Sequence, residues 1–167
     1  LLKKIGLFFM KNFLRKWDVK SSADLDLIFA NSKFVSNRIE KYWERESIVI
    51  YPGINHSDFH LNINKNHCYL ALSELTEYKK IDLVIDSFNE NGKELVVIGK
   101  GELYEQLVKK SNKNIKLLGW QSDEVKNDYL SKCKALIFPG IEDFGIVPLE
   151  AMASGTPVVA FNGGGAI

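Results

Sequence analysis

Two glutamates, Glu142 and Glu150, stand eight positions apart in the stretch EDFGIVPLEAMASGTPVVAF, with Phe144-Gly145 after the first and Pro148 shortly before the second. Gly145 lets the backbone turn and brings main-chain N–H groups near a ligand, and a helix opened by Pro148 points its positive end the same way. That pairing suits an anion such as a diphosphate. Glu150, expected in the first turn of the helix, cannot bind phosphate itself; it is suited to accept hydrogen bonds from hydroxyls, and a ribose diol fits. The plainer alternative is that Glu150 complements the helix dipole and Glu142 is a solvated loop residue. Lys79 and Lys80 precede an amphipathic helix. A lysine at such a junction is placed to neutralise phosphate, although surface lysines are common. Gly99-Lys100-Gly101 resembles the start of a dinucleotide fingerprint, but Tyr104 occupies the third glycine position. The turn reads instead as a site of close backbone approach. His56, His60 and His67 lack ligand spacing and receive no role.

The elements that must hold these residues alternate regularly. Residues 68–72, 95–98, 115–118, 135–138 and 157–161 read as strands. Between them, Ile81, Val84, Ile85 and Phe88 give the i, i+3, i+4, i+7 face of a helix closed by Gly92, and residues 102–110 form a helix with Leu103 and Leu107 inward. Ser122 caps the next helix, and Pro148 and Gly155 bracket the last. Strand and helix in alternation imply an α/β fold, a doubly wound parallel sheet covered on both faces, with ligands outside the carboxyl ends of the strands. Residues 73–80, 99–102 and 139–150 are therefore expected to converge. Upstream, residues 25–30 read as a buried strand, Ser32 caps a helix carrying Phe34, Val35, Ile39 and Tyr42, and residues 47–51 form a strand stopped by Pro52-Gly53. The polar, aperiodic stretch 55–66 is the expected linker, dividing residues 1–54 from residues 67–167.

The chain has 167 residues, 46% hydrophobic and 26% charged, an ordinary globular composition. Lysine plus arginine (22) nearly cancels aspartate plus glutamate (21), so no nucleic-acid partner is indicated. The first twenty residues are different, with Lys3, Lys4, Lys11, Arg15, Lys16 and Lys20 against Asp18. Ile5, Phe8, Phe9, Phe13 and Trp17 recur among them at helical spacing. Such a basic amphipathic helix either packs on a domain or lies on an anionic membrane surface. Cys68 and Cys133 have neither metal-ligand nor extracellular disulfide spacing, which points to a reducing cytoplasm. No apolar run is long enough to span a bilayer. The first residue is Leu and the last stand in a glycine-rich loop, so a fragment at both ends is expected.

Several blocks together resemble one family. E-x7-E around Phe-Gly, followed by EAMASGTPVVAFNGGGA, looks like the donor-site signature of retaining GT-B glycosyltransferases of family 4, the group 1 glycosyltransferases. The resemblance continues in YLALSELTEYKKIDLVIDSF, LVVIGKGELYEQL, ANSKFVSNRIEKYW and IVIYPGIN, covering nearly the whole chain. It implies a transferase with two Rossmann-like domains: a Rossmann-like donor domain at residues 67–167, incomplete at its C-terminus, and the tail of the N-terminal acceptor domain at residues 1–54. By that resemblance Glu142 contacts hydroxyls of the transferred sugar, the N–H groups of Phe144, Gly145 and Ile146 face sugar and diphosphate, Glu150 binds the ribose, and Lys79 binds the diphosphate. The implied chemistry is transfer of a hexose such as mannose from a UDP- or GDP-sugar, with retention and without metal or other cofactor, to a saccharide or lipid-linked acceptor of surface polysaccharide synthesis. The implied location is the cytoplasm, with a peripheral place at the inner face of the cell membrane added by the basic helix. One position departs from the pattern: Ser73-Glu74-Leu75 stands where the family has Gly-Arg-Leu, so a carboxylate replaces a phosphate-facing arginine. Lys80 is the nearest substitute cation. Two other readings stay open, a non-catalytic nucleotide-sugar-binding homologue and a nicotinamide-dependent oxidoreductase on a similar sheet.

Overall fold

The computed structural model describes residues 2–166 and, within them, the side chains from Met10 onward. The chain divides into two compact units, the first ending at Tyr51 and the second beginning at Pro52.

The first unit holds helix α1 (Leu2–Ser22), strand β1 (Phe29–Ala30), helix α2 (Lys33–Trp43) and strand β2 (Ile48–Val49). The strands pair in parallel, Phe29 with Ile48 and Ala30 with Val49, so α2 is the crossover of a βαβ unit. Ser32 starts α2 as expected: its backbone is extended and its hydroxyl accepts from the Val35 N–H at 3.1 Å. Arg45 donates to the carbonyls of Ser22, Ala23 and Leu25 and fixes the chain leaving α1. The expectation of a buried strand over residues 25–30 is corrected: the strand is Phe29–Ala30, and the run is buried on alternate residues only. Ile28 and Ala30 are buried, but Leu25, Leu27 and Phe29 are exposed. The alternation shows that one face of this strand is covered within the unit and the other is not. On α1, Phe13 and Trp17 are exposed, while the side chains of Ile5, Phe8 and Phe9 lie outside those described.

The second unit contains one parallel sheet. Its strands are β3 (Tyr69–Leu72), β4 (Leu95–Ile98), β5 (Ile115–Gly119), β6 (Leu136–Phe138) and β7 (Val158–Ala160), in spatial order β5-β4-β3-β6-β7. The helices are α3 (Ile81–Asn91), α4 (Tyr104–Lys110), α5 (Asp123–Lys132) and α6 (Ile146–Ala153). All four residues of β4 are buried, the signature of a strand with both faces covered. One core joins Ala71, Leu75 and Val97 to the predicted α3 face, Ile81, Val84, Ile85 and Phe88, and to Leu107 of α4. The opposite core joins Leu70, Val96 and Leu136 to Leu130 of α5 and Ala151 of α6. Burying each aliphatic side chain of this kind contributes about 1.5–3 kcal/mol. Gly92 ends α3 with φ +69 and an N–H bond to the Phe88 carbonyl. This is the doubly wound α/β architecture expected from the alternation.

The helix carrying the two glutamates begins earlier than the proline implies. Its N-cap is Gly145, so Pro148 is the third residue and Glu150 the fifth. Pro148 is tolerated because the N–H groups of the first turn have no intrahelical partner. Glu150 therefore lies beyond the first turn, which removes the dipole-complement reading for it.

Candidate active site

Successive strands run outward from β3 through β4 to β5, then the chain returns to place β6 on the other side of β3. The loops leaving β3 and β6 thus start from two neighbouring strands and come together at their carboxyl ends, the place where such sheets hold their ligand crevice. The loop after β3 ends in a single 3₁₀ turn, Glu77–Lys79, and the loop after β6 carries Glu142.

Lys79 Nζ forms an ion pair with Glu142 Oε1 across this crevice, with side-chain exposures of 15% and 20%. The two backbones are close enough that a Cβ on Gly140 would lie 3.3 Å from Lys79 Cα. The ammonium also lies 4.9 Å from the centroid of the Tyr78 ring. Burial pulls the Lys79 pKa down, but the hydrogen bond and charge of Glu142 outweigh it, and the group titrates above the ordinary lysine value. The crevice thus holds a permanent cation beside a carboxylate. The first can take phosphate oxygens and the second can accept from hydroxyls.

Gly145 opens α6 at φ +89 with no side-chain cap, leaving first-turn N–H groups to a ligand. Phe144 and Gly145 are half-buried at this turn and Ile146 is exposed. A feature that the sequence reading placed in the donor-site signature without a role of its own holds the turn. The Gly165 N–H donates to the Glu142 carbonyl at 2.8 Å, and a Cβ on Gly165 would sit 2.0 Å from the Asp143 carbonyl oxygen. Only glycine allows that approach. Three consecutive glycines after a strand were the signal for it.

Glu150, from the second turn of α6, meets a residue of α5. Lys126 Nζ lies 3.3 Å from Glu150 Oε1, with both side chains largely buried, and 3.0 Å from Asp123 Oδ1. Burial lowers the Lys126 pKa, yet its bonds and charge interactions with Asp123 and Glu150 leave it raised. Sequence reasoning missed Lys126, whose spacing from Asp123 reads as an ordinary pair on one helix.

Lys80 is not brought to the Lys79–Glu142 pair. It takes φ +59 between the 3₁₀ turn and α3, and lines a neighbouring groove of about 900 Å³ with Tyr78, Leu83, Glu102 and Phe161. Glu74 is exposed. The glycines after β4 serve close approach: a Cβ on Gly99 would meet the Ser73 carbonyl oxygen at 1.8 Å, and the Lys100 carbonyl accepts from the Leu75 N–H at 2.8 Å. Among the described residues no cluster of histidine, cysteine or carboxylate side chains could hold a metal ion.

The model of the family described as glycosyl transferases group 1 matches residues 34–167. The chain is 30% identical over 150 residues to an uncharacterized glycosyltransferase of Methanocaldococcus jannaschii, covering 87% of this chain and 42% of that protein. It is 32% identical over 164 residues to the O-antigen chain mannosyltransferase RfbU of Salmonella typhimurium, covering 88% and 44%. Among solved structures, Anabaena HepE in complex with UDP and glucose superposes with a TM-score of 0.78 at 22% identity, covering 91% of this chain and 49% of that one. S. aureus TarM, solved with UDP among its ligands, gives 0.76 at 18% identity, covering 89% and 33%. At these identities the two structures show a shared GT-B fold, and the chain spans less than half the length of each of these four proteins.

Proposed function

The chain belongs to the group 1 glycosyl transferases, and from that membership we propose that the protein transfers a hexose, mannose or a close relative, from a UDP- or GDP-sugar to a saccharide or lipid-linked acceptor with retention. The observation that carries the reading is the Lys79–Glu142 pair at the crevice between β3 and β6. It sets a phosphate-binding cation beside a hydroxyl-binding carboxylate, the two chemistries a nucleotide sugar presents together. In the reaction the bond from the anomeric carbon to the diphosphate breaks, and the acceptor hydroxyl oxygen bonds that carbon on the same face. The hydroxyl proton passes to a departing phosphate oxygen. Lys79 and the amide end of α6 stabilise the charge that develops on the diphosphate, so no metal enters the scheme. Glu142 orients the sugar, the N–H groups of residues 144–146 face sugar and diphosphate, and Glu150 accepts from the ribose.

Mannose is supported by relatives from Salmonella typhimurium and Propionibacterium freudenreichii, both mannosyltransferases, and UDP by the ligands of Anabaena HepE. In this reading residues 1–54 close the acceptor domain, residues 55–66 link it, and residues 67–167 belong to the donor domain. A role in surface polysaccharide synthesis fits a cytoplasmic protein held peripherally at the inner membrane face. Exposed Met10, Phe13, Leu14 and Trp17 beside Lys11, Arg15, Lys16 and Lys20 of α1 support that location. Calorimetric titration of the full-length protein with UDP- and GDP-sugars, beside Glu150→Ala, tests the reading. Selective binding of one nucleotide, lost in the variant, is expected. Folded protein that binds no nucleotide sugar would sink it.

Glu74 motivates a second reading, a homologue that binds a nucleotide sugar without catalysis. Donor binding with neither transfer nor donor hydrolysis would favour that reading.

A further inference from the structure

We infer that Lys126 is a positioning residue for donor recognition, holding the Glu150 carboxylate by one oxygen so that the other accepts from the ribose hydroxyls. The inference rests on the assignment of Glu150 to the ribose. Lys126 Nζ reaches Glu150 Oε1 at 3.3 Å from the neighbouring helix, and the two side chains are 20% and 15% exposed. A carboxylate offers about four acceptor sites over its two oxygens, and one ammonium occupies one of them. The rest stay available while the group is pinned. Without the cation, a largely buried carboxylate is uncompensated and turns toward water, away from the geometry that meets a diol.

Lys126 also bonds Asp123 at 3.0 Å, but Asp123 is 89% exposed and three residues away on the same helix. A solvated pair of that kind contributes little. The buried contact is the one with Glu150. Glu150 in turn sits on α6, whose N-terminus faces the crevice beside Glu142. The lysine therefore ties α5 to the helix whose amide end is assigned to the diphosphate, at the carboxylate assigned to the adjoining ribose.

The test uses the full-length protein, UDP and GDP, and the 2′,3′-dideoxy counterpart of each. With the nucleotide that the wild type prefers, Lys126→Met is expected to weaken binding roughly tenfold, while affinity for the dideoxy counterpart stays within twofold. Lys126→Arg should restore most of the loss, and Asp123→Asn should leave affinity within twofold. A mere brace between helices predicts another pattern: a lowered melting temperature with equal losses for both nucleotides, or no loss at all. Either result overturns the inference. If Lys126→Met fails to fold, Lys126→Gln is read in the same comparison. Wild-type protein that binds ribonucleotide, loses it in Glu150→Ala and is indifferent to Lys126→Met overturns this inference and leaves the ribose assignment standing. Wild type that binds neither nucleotide overturns both.

Discussion

Lys79 and Glu142 are 63 residues apart in the chain, and neither residue type alone separates a ligand site from a solvated surface. The sheet order supplies the difference, because it makes β3 and β6 neighbours and brings the loops that follow them together. Replacing Lys79 by Met keeps most of the stem and removes the charge. In the full-length enzyme kcat/KM is expected to fall roughly 10²- to 10³-fold, with circular dichroism unchanged. A loss below tenfold would mean that the diphosphate draws its positive charge from elsewhere. Glu74 gives the converse experiment. Since it is exposed and follows Ser73, which lines the same small pocket as Lys79, Glu74→Arg should raise kcat/KM by roughly three- to tenfold. A rate that does not rise would show that position 74 faces away from the phosphates. At this scale the meeting of Glu142 with Lys79 was legible, because the segments carrying them leave strands at the same end of one sheet. The place of Lys80 was not, since this residue takes a left-handed backbone conformation and lines a neighbouring groove. Lys126 was hidden for a related reason: its partner in sequence, Asp123, masks its partner in space, Glu150.

Among the elements, the five strands and four helices of the second unit could be read to within a few residues, because strands buried on both faces are continuous apolar runs and α3 repeats at 3.6 residues. Residues 25–30 show the limit of that reasoning. A short apolar run states that a strand forms, but whether its second face is covered depends on chain that the run does not encode. The seam between α5 and α6 was equally invisible in sequence. Lys65 donates to the Ser131 carbonyl at 2.6 Å and to Thr156 Oγ1 at 2.8 Å, and the Thr156 hydroxyl donates to the Leu130 carbonyl. A cation at the carboxyl end of a helix is favourable, so Lys65 fastens residues just before β3 onto α5. Thr156→Val is expected to lower unfolding free energy by about 1–3 kcal/mol in urea titrations; an unchanged midpoint would show that the hydroxyl is dispensable. Beside it Cys133 is fully buried, and desolvation pushes its thiol from 9.0 to about 11. The folded state binds that proton more tightly than the unfolded one. The thiol's contribution is therefore complete below pH 9 and lost as pH rises toward 11, a swing on the order of 2–3 kcal/mol at about 1.4 kcal/mol per unit. Lys65, whose pKa burial lowers, acts in the opposite sense. The difference between wild type and Cys133→Ala separates the two: between pH 9 and 11 wild-type stability should fall more steeply, and parallel curves would show that the thiol does not titrate there.

For the molecule as a whole, a near balance of 22 basic and 21 acidic residues conceals an uneven distribution. Helix α1 carries Lys11, Arg15, Lys16 and Lys20 within two turns of exposed Met10, Phe13, Leu14 and Trp17, and only Asp18 opposes them; its carboxylate accepts from the Trp43 indole at 2.9 Å. No helix among the described residues is long and apolar enough to cross a membrane, so attachment through α1 would be interfacial. Two forces would then add. Each basic residue near an anionic bilayer contributes about 1 kcal/mol, and the ring of Trp17 or Phe13 inserts at the level of the headgroups. Flotation of the full-length protein with vesicles separates these contributions. Binding to vesicles rich in phosphatidylglycerol, weak binding to pure phosphatidylcholine, and release as salt rises past physiological strength are expected, because the attraction is screened within about 8 Å at 0.15 M. Exchanging the four basic residues for Gln should abolish salt-sensitive binding, whereas Phe13→Ser with Trp17→Ser should weaken binding while keeping its salt dependence. If wild-type protein ignores anionic vesicles at low salt, α1 is a packing helix for the rest of the protein, and a lipid-linked acceptor must be met without its help.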